Sequence, residues 1–204
     1  MVRELYYDEV FDAQKHFRAL LDSMARPGKI NVLEPVPLDP PPGLNAASAL
    51  AGFALMDADS TFEVIGMMHG EAAYLASNTN ARRVETAKAH FIFARGSESP
   101  DFLESADCGT LLYPDTAATV VLQLDAASRS PLPGGLRLTL EGPGIDGRGV
   151  LYVRGLNADL LLALQARNAE FPLGIDTILT FANESGAPAL AALPRTTRVS
   201  WENC

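Results

Sequence analysis

Short runs of β-branched and aliphatic residues alternate along this chain with segments whose apolar residues recur every three or four positions, and this alternation restricts the possible folds more than any other feature. Residues 62–65, 90–94, 119–124, 136–140 and 150–153 read as strands. Residues 10–24, 46–56, 70–76 and 158–168 read as helices. The two types interleave instead of segregating into blocks, which predicts an α/β fold with a mixed β-sheet flanked by helices. The strands over 119–153 are expected to form a sheet in the middle of the chain, the last two joined by a glycine-rich turn. A length of 204 residues with 48% apolar composition suits a single domain spanning 1–204, large enough to bury a core without disulfides or a structural metal.

Val10, Phe11, Gln14, Phe17, Leu20, Leu21 and Met24 share one helical face, while Asp12, Lys15, His16, Asp22 and Ser23 fall mostly on the other. The first set is therefore expected to face the core, with His16 and Asp12 as a solvated pair outside. Asp8 is placed to cap this helix, and Pro27 with Gly28 ends it. Residues 29–33 alternate as a short strand, after which Pro35, Pro37, Pro40, Pro41 and Pro42 enforce an extended surface strap. Asn45 caps a second helix that is apolar on every side and belongs between layers. Asn157 starts a late helix with Leu160, Leu161 and Leu164 buried, and residues 175–181 and 189–193 form a hairpin about the turn at 183–186.

The charge balance, 16 basic against 25 acidic side chains for a net −9, with both signs scattered, argues against a nucleic-acid or anionic-membrane surface. No apolar run approaches a membrane span, and the amino terminus lacks a secretory pattern, so a cytoplasmic protein is expected. Cys108 and Cys204 lie far apart and read as reduced thiols.

Most chemical motifs dissolve on inspection. Gly142-Pro-Gly144-Ile-Asp-Gly147 satisfies the dinucleotide pattern literally, but a strand follows it where the phosphate-binding helix should start, so it reads as a hairpin turn. His16, His69 and His90 are too dispersed for a metal cluster, and no metal is expected. Lys15, Lys29 and Lys88 are the only lysines, and none has neighbours that single it out for Schiff-base chemistry. There is no G-x-S-x-G, and Cys108 has no nearby histidine. Asp57 and Asp59 beside Ser60 and Thr61 read as a helix-ending turn.

The carboxyl-terminal segment is different. Arg195 and Arg198 with Thr196 and Thr197 between them offer guanidinium forks and hydroxyls suited to phosphate, phosphonate or carboxylate oxygens, with Asp176 and Gly174 completing a candidate anion site. The competing reading pairs Arg195 with Asp176 and makes the segment a clamp on the last strand.

Phe171-Pro-Leu-Gly-Ile-Asp176, Ile178-Leu-Thr180 and Leu193-Pro-Arg-Thr-Thr197 resemble the PhnH family of the bacterial carbon-phosphorus lyase. Earlier segments agree in order and spacing: Phe17-Arg18, Leu21, Met24 and Pro27-Gly28; Leu44-Asn45, Asp57 and Asp59; Gly109-Thr110 and Pro114; Ala118-Thr119; Leu136-Arg-Leu-Thr139. Two segments depart from the pattern, Arg82-Arg83 and Leu140-Glu-Gly-Pro143, and both are read as loop tips. The resemblance implies a fold similar to pyridoxal-phosphate-dependent transferases but without the cofactor. It implies a homodimer that joins PhnG, PhnI and PhnJ in organophosphonate breakdown, where phosphonate is transferred to the ribose of ATP before a radical step in PhnJ cleaves the carbon-phosphorus bond. On that basis the chain is a subunit without a catalytic group of its own and with no cofactor. A stand-alone phosphonate- or phosphate-ester-binding protein, or a cofactor-free transferase, is the alternative.

Overall fold

A computed structural model describes residues 4, 6–66 and 70–204. Asp8, Asn45 and Asn157 set three helix starts. The Asp8 carboxylate accepts from the amides of Val10 and Phe11 at 2.8 Å each, opening α1 (Phe11–Ala25). Asn45 accepts from Ser48 N at 2.7 Å at the head of α2 (Ala46–Leu55), and Asn157 from Asp159 N at 2.9 Å at the head of α4 (Ala158–Arg167). The remaining helix is α3 (Glu71–Thr79). In chain order the strands are β1 (Asn31–Val32), β2 (Thr61–Val64), β3 (Arg82–Arg83), β4 (Phe91–Arg95), β5 (Thr119–Gln123), β6 (Ala126–Ser128), β7 (Leu136–Glu141), β8 (Gly149–Arg154), β9 (Asp176–Ala182), β10 (Pro188–Leu193) and β11 (Arg198–Asn203).

Among the described residues these strands form two sheets. The larger has the order β1-β10-β9-β5-β4-β2-β3 and is mixed: β9, β5, β4, β2 and β3 run parallel, while β10 is antiparallel to both of its neighbours. Its central strands are apolar on both faces, and the period of two divides them between two cores. Ile92, Val120, Leu122, Leu179 and Ala191 point into one core, shared with α4 and the smaller sheet. Phe93, Val121, Ile178 and Leu190 point into the other, shared with α1, α2 and α3. The smaller sheet, β11-β7-β8-β6, is antiparallel and buries one face only. Along β7, Leu136, Leu138 and Leu140 are buried while Arg137, Thr139 and Glu141 alternate outward.

The mixed α/β class and the main elements agree with the sequence reading, with four corrections. The strands over 119–153 do not form one sheet: β5 sits inside the larger sheet and β7 and β8 in the smaller one. Arg82-Arg83 is no loop tip but a two-residue edge strand paired with β2, its charges guarding an open edge. The last strand, β11, has no counterpart among the strands expected from sequence; it pairs with β7 across its whole length.

The fourth correction concerns the orientation of α1. His16, Leu20 and Ser23 are the buried positions, and Val10, Phe11, Phe17 and Leu21 are exposed. The proline strap and β1 cover the inner face of the helix, and their polar groups select polar partners on it. His16 Nε2 lies 2.9 Å from Glu34 O, its ring stacks on Tyr7, and Asn31 Nδ2 donates to Ser23 Oγ at 2.7 Å and Asp22 Oδ2 at 2.9 Å. Hydrogen bonding thus overrides apolar periodicity, and an apolar stripe is left outside.

Candidate functional site

Thr119 of β5 pairs with Asp176 of β9, so the carboxyl-terminal cluster lies at the amino edge of the parallel strands. Asp176 accepts from Arg195 N at 2.8 Å through one oxygen, and from Arg195 Nε at 3.2 Å and Nη2 at 2.7 Å through the other. Arg195 Nη1 donates to Pro114 O at 2.8 Å and Pro172 O at 3.4 Å. All three guanidinium nitrogens are therefore engaged, and only 14% and 18% of the two side chains' surfaces remain open to solvent. An oxyanion arriving here would compete with Asp176 for the same fork.

Arg195 thereby ties three stretches of chain together: the loop through Pro114, the loop through Pro172, whose Phe171–Pro172 bond is cis, and the start of β9. Gly174 sits at φ +140°, where Gly174 N donates to Cys108 O at 3.0 Å and an added Cβ would lie 2.5 Å from Asn168 Oδ1. Asn168 locks the same turn by accepting from Ile175 N and donating to Ile175 O. Thr197 N closes a turn on Pro194 O, its hydroxyl is buried without a partner among the described residues, and Thr196 packs its carbonyl against Gly142. Arg198 opens β11 and is exposed. The structure therefore brings Gly174, Asp176 and Arg195 into one network and leaves Thr196, Thr197 and Arg198 on its flank. Pro114, Pro172 and Asn168 complete the network; the two prolines contribute only backbone carbonyls, so their residue type does not announce this role.

The pinned loops present apolar side chains to solvent. Leu111, Leu112 and Tyr113 precede Pro114, Phe171 precedes Pro172, and all four are exposed, Leu112 at 84% and Phe171 at 73%. Exposed apolar groups gathered on ordered loops are a common feature of interaction surfaces.

Elsewhere the motif residues take structural positions. Gly142, Gly144 and Gly147 all have positive φ in the connection between β7 and β8. Asp57 accepts from Asp59 N, Ser60 N and Ser60 Oγ, the expected turn. Each lysine lies beside a carboxylate, Lys15 on Glu34, Lys29 on Asp22 and Lys88 on Glu85. Hydrogen bonds from Lys15 to Glu34 and from Lys88 to Glu85 hold those two ammonium groups above the ordinary lysine range, opposite to what Schiff-base chemistry requires. Cys108 is half-buried and Cys204 exposed, both as free thiols. His90 Nδ1 accepts from Thr61 N, and His69 lies outside the described residues. Among the described residues no group of three or more His, Cys, Asp or Glu side chains is arranged to hold a metal, and no helix is long and apolar enough to cross a membrane.

Comparison with known proteins decides the family. The family model described as "Bacterial phosphonate metabolism protein (PhnH)" matches residues 5–200. The chain belongs to the PhnH family. Among PhnH relatives, the "Alpha-D-ribose 1-methylphosphonate 5-triphosphate synthase subunit PhnH" of Rhizobium meliloti (strain 1021) is 37% identical over 202 residues, 97% of this chain and 94% of that protein. The "Putative C-P lyase subunit protein HtxG" of Stutzerimonas stutzeri is 30% identical over 188 residues, 92% of this chain and 85% of that protein. The PhnH match spans both sheets and includes the network around Arg195.

Proposed function

We propose that this protein is a cytoplasmic docking subunit of a phosphonate-degrading carbon-phosphorus lyase, working beside PhnG, PhnI and PhnJ rather than through a nucleophile of its own. The observation that carries this reading is the apolar surface of Leu111, Leu112, Tyr113 and Phe171, held in place by the Arg195–Asp176 network. Fixing the loops before association lowers the ordering cost of binding. The relatives, named as subunits of a synthase and of a C-P lyase, support the same reading.

The exposed stripe on α1 would make the homodimer contact. Val10, Phe11, Phe17 and Leu21 lie outward beside the edge strand β1, whose Val32 is also exposed. A two-fold interface needs such a self-complementary apolar patch. The fold reads further as a pyridoxal-phosphate-transferase architecture without its cofactor. Support for this comes from the seven-stranded mixed sheet with only β10 reversed, and from three lysines spent in ion pairs.

Co-expression with PhnG, PhnI and PhnJ tests the docking reading: the chain should co-purify with them in a fixed ratio, and failure to associate sinks it. A second reading, that Gly174, Asp176, Arg195, Thr196 and Thr197 hold an anion, draws on the unpartnered buried hydroxyl of Thr197. Calorimetric titration of methylphosphonate and of ATP into the isolated protein separates the two readings, since only the second expects heat of binding lost in Thr197→Val.

A further inference from the structure

Arg95 ends β4 and Gln123 ends β5, and the two are register partners on adjacent parallel strands. They stand at the carboxyl edge of the larger sheet, the edge at which α/β proteins take small ligands, and opposite the edge that carries Asp176 and Arg195. An open cleft of about 370 Å³ lies there, lined by Asn45, Arg95, Ser97, Gln123, Asp125 and Gly155 among others. That volume is enough for a small metabolite.

The walls are fixed. Gln123 Nε2 donates to Gly43 O at 2.9 Å and Gln123 Oε1 accepts from Asn45 N at 2.5 Å, tying the loop ahead of α2 to the strand end. Gly155, also in the lining, presents bare backbone: it has φ +79°, and a Cβ there would lie 2.7 Å from the Asp125 carboxyl carbon.

Arg95 and Asp125 both line this cleft, and neither side chain has an ion-pair or hydrogen-bond partner among the described residues. Arg18, Arg82, Arg154 and Arg198 are likewise without a carboxylate partner among the described residues, but Arg95 is the arginine that lines this cleft, and Asp125 shares it. A guanidinium takes two oxygens of an oxyanion through its fork, and a carboxylate accepts hydrogen bonds only. Opposite charges that line one cleft without meeting suit a molecule carrying both complements.

We infer that this cleft binds a small ligand with an oxyanion for Arg95 and a hydroxyl or ammonium donor for Asp125. A sugar phosphate and an aminoalkyl phosphonate share that chemistry. The inference is independent of the docking reading, because the two surfaces lie at opposite ends of β5.

Calorimetric titration of the full chain with ribose 5-phosphate and with 2-aminoethylphosphonate tests it, using inorganic phosphate and ribose as the two halves. At least one two-headed ligand should bind about tenfold or more tighter than phosphate, a difference well within what a charge-assisted contact supplies. Arg95→Met should abolish that binding, and Asp125→Asn should reduce it to the level of phosphate. Both side chains are exposed, so both variants should melt as the wild type does. The ligand that wins names the source of the chemistry. If neither outbinds phosphate, or if Arg95→Met binds as the wild type does, the inference is overturned; co-purification with the sister subunits is a separate measurement that neither result touches.

Discussion

Replacing Arg195 by Met removes every donor that ties the Pro114 and Pro172 loops to the start of β9 while keeping much of the side-chain volume. Asp176 loses the donors to one of its oxygens, retaining Arg195 N on the other, and the carbonyls of Pro114 and Pro172 lose Nη1. Breaking a buried ion pair by deleting one partner costs about 3–5 kcal/mol. With 14% and 18% of the two side chains still open to water, the lower end, about 3 kcal/mol, is the appropriate figure. For a chain of this size each kcal/mol moves the melting temperature by about 2–4 °C, so differential scanning calorimetry should show a fall of about 6–12 °C. Arg195→Lys, which keeps the charge and loses the fork, should fall between. A double-mutant cycle with Asp176→Asn should be non-additive by about 1–3 kcal/mol, because the two side chains act as one unit. A drop below about 2 °C for Arg195→Met, or additivity in the cycle, would refute the claim that this pair holds the loops.

Three other outcomes follow from the same structure. The proposed homodimer contact on α1 predicts a dimer for the wild type in sedimentation equilibrium and a monomer for Phe17→Glu with Leu21→Glu, with no fall in melting temperature since both positions are exposed; a wild-type monomer or a persistent dimer in the variant excludes the α1 stripe. The two sheets share one core through Leu138, Leu151, Val120 and Leu179, so calorimetry should show a single unfolding transition, and two separated transitions would contradict a single domain. Amides of Phe11 and Val10 hold the Asp8 carboxyl below the ordinary carboxylate range, and the Ser60 hydroxyl with the Asp59 amide does the same for Asp57. A folded-state pKa lowered in this way adds stability above the unfolded value, about pH 4, that is lost as pH falls through the folded one. Asp8→Ala and Asp57→Ala should therefore each flatten the decline of melting temperature with acidification below about pH 4, and an unchanged slope would count against the cap and the turn.

What could be read from sequence was local. Asn45 and Asn157 announce helix starts because a short side chain beside helical periodicity has one good use there. The alternation in Leu136, Leu138 and Leu140 gave β7 its buried face directly. Non-local choices were not legible. Nothing within residues 119–153 says that β5 and β7 join different sheets, because that depends on β9 and β11 arriving later in the chain. The orientation of α1 departs from its apolar periodicity because His16 and Ser23 find partners only once Glu34 and Asn31 fold back over them. In the carboxyl-terminal cluster the residue types suggested both an anion site and a clamp, and only the positions of the Pro114 and Pro172 carbonyls reveal how fully Arg195 is engaged.

The central claim is that this chain contributes a surface, and Leu112 and Phe171 are each the most exposed apolar residue of their loop. Leu112→Asp combined with Phe171→Asp, co-expressed with PhnG, PhnI and PhnJ and weighed by native mass spectrometry, addresses that claim most directly. The account predicts a folded variant with wild-type melting temperature that is missing from the assembly, while the wild-type chain is present in a fixed ratio. A variant incorporated as fully as the wild type would contradict it.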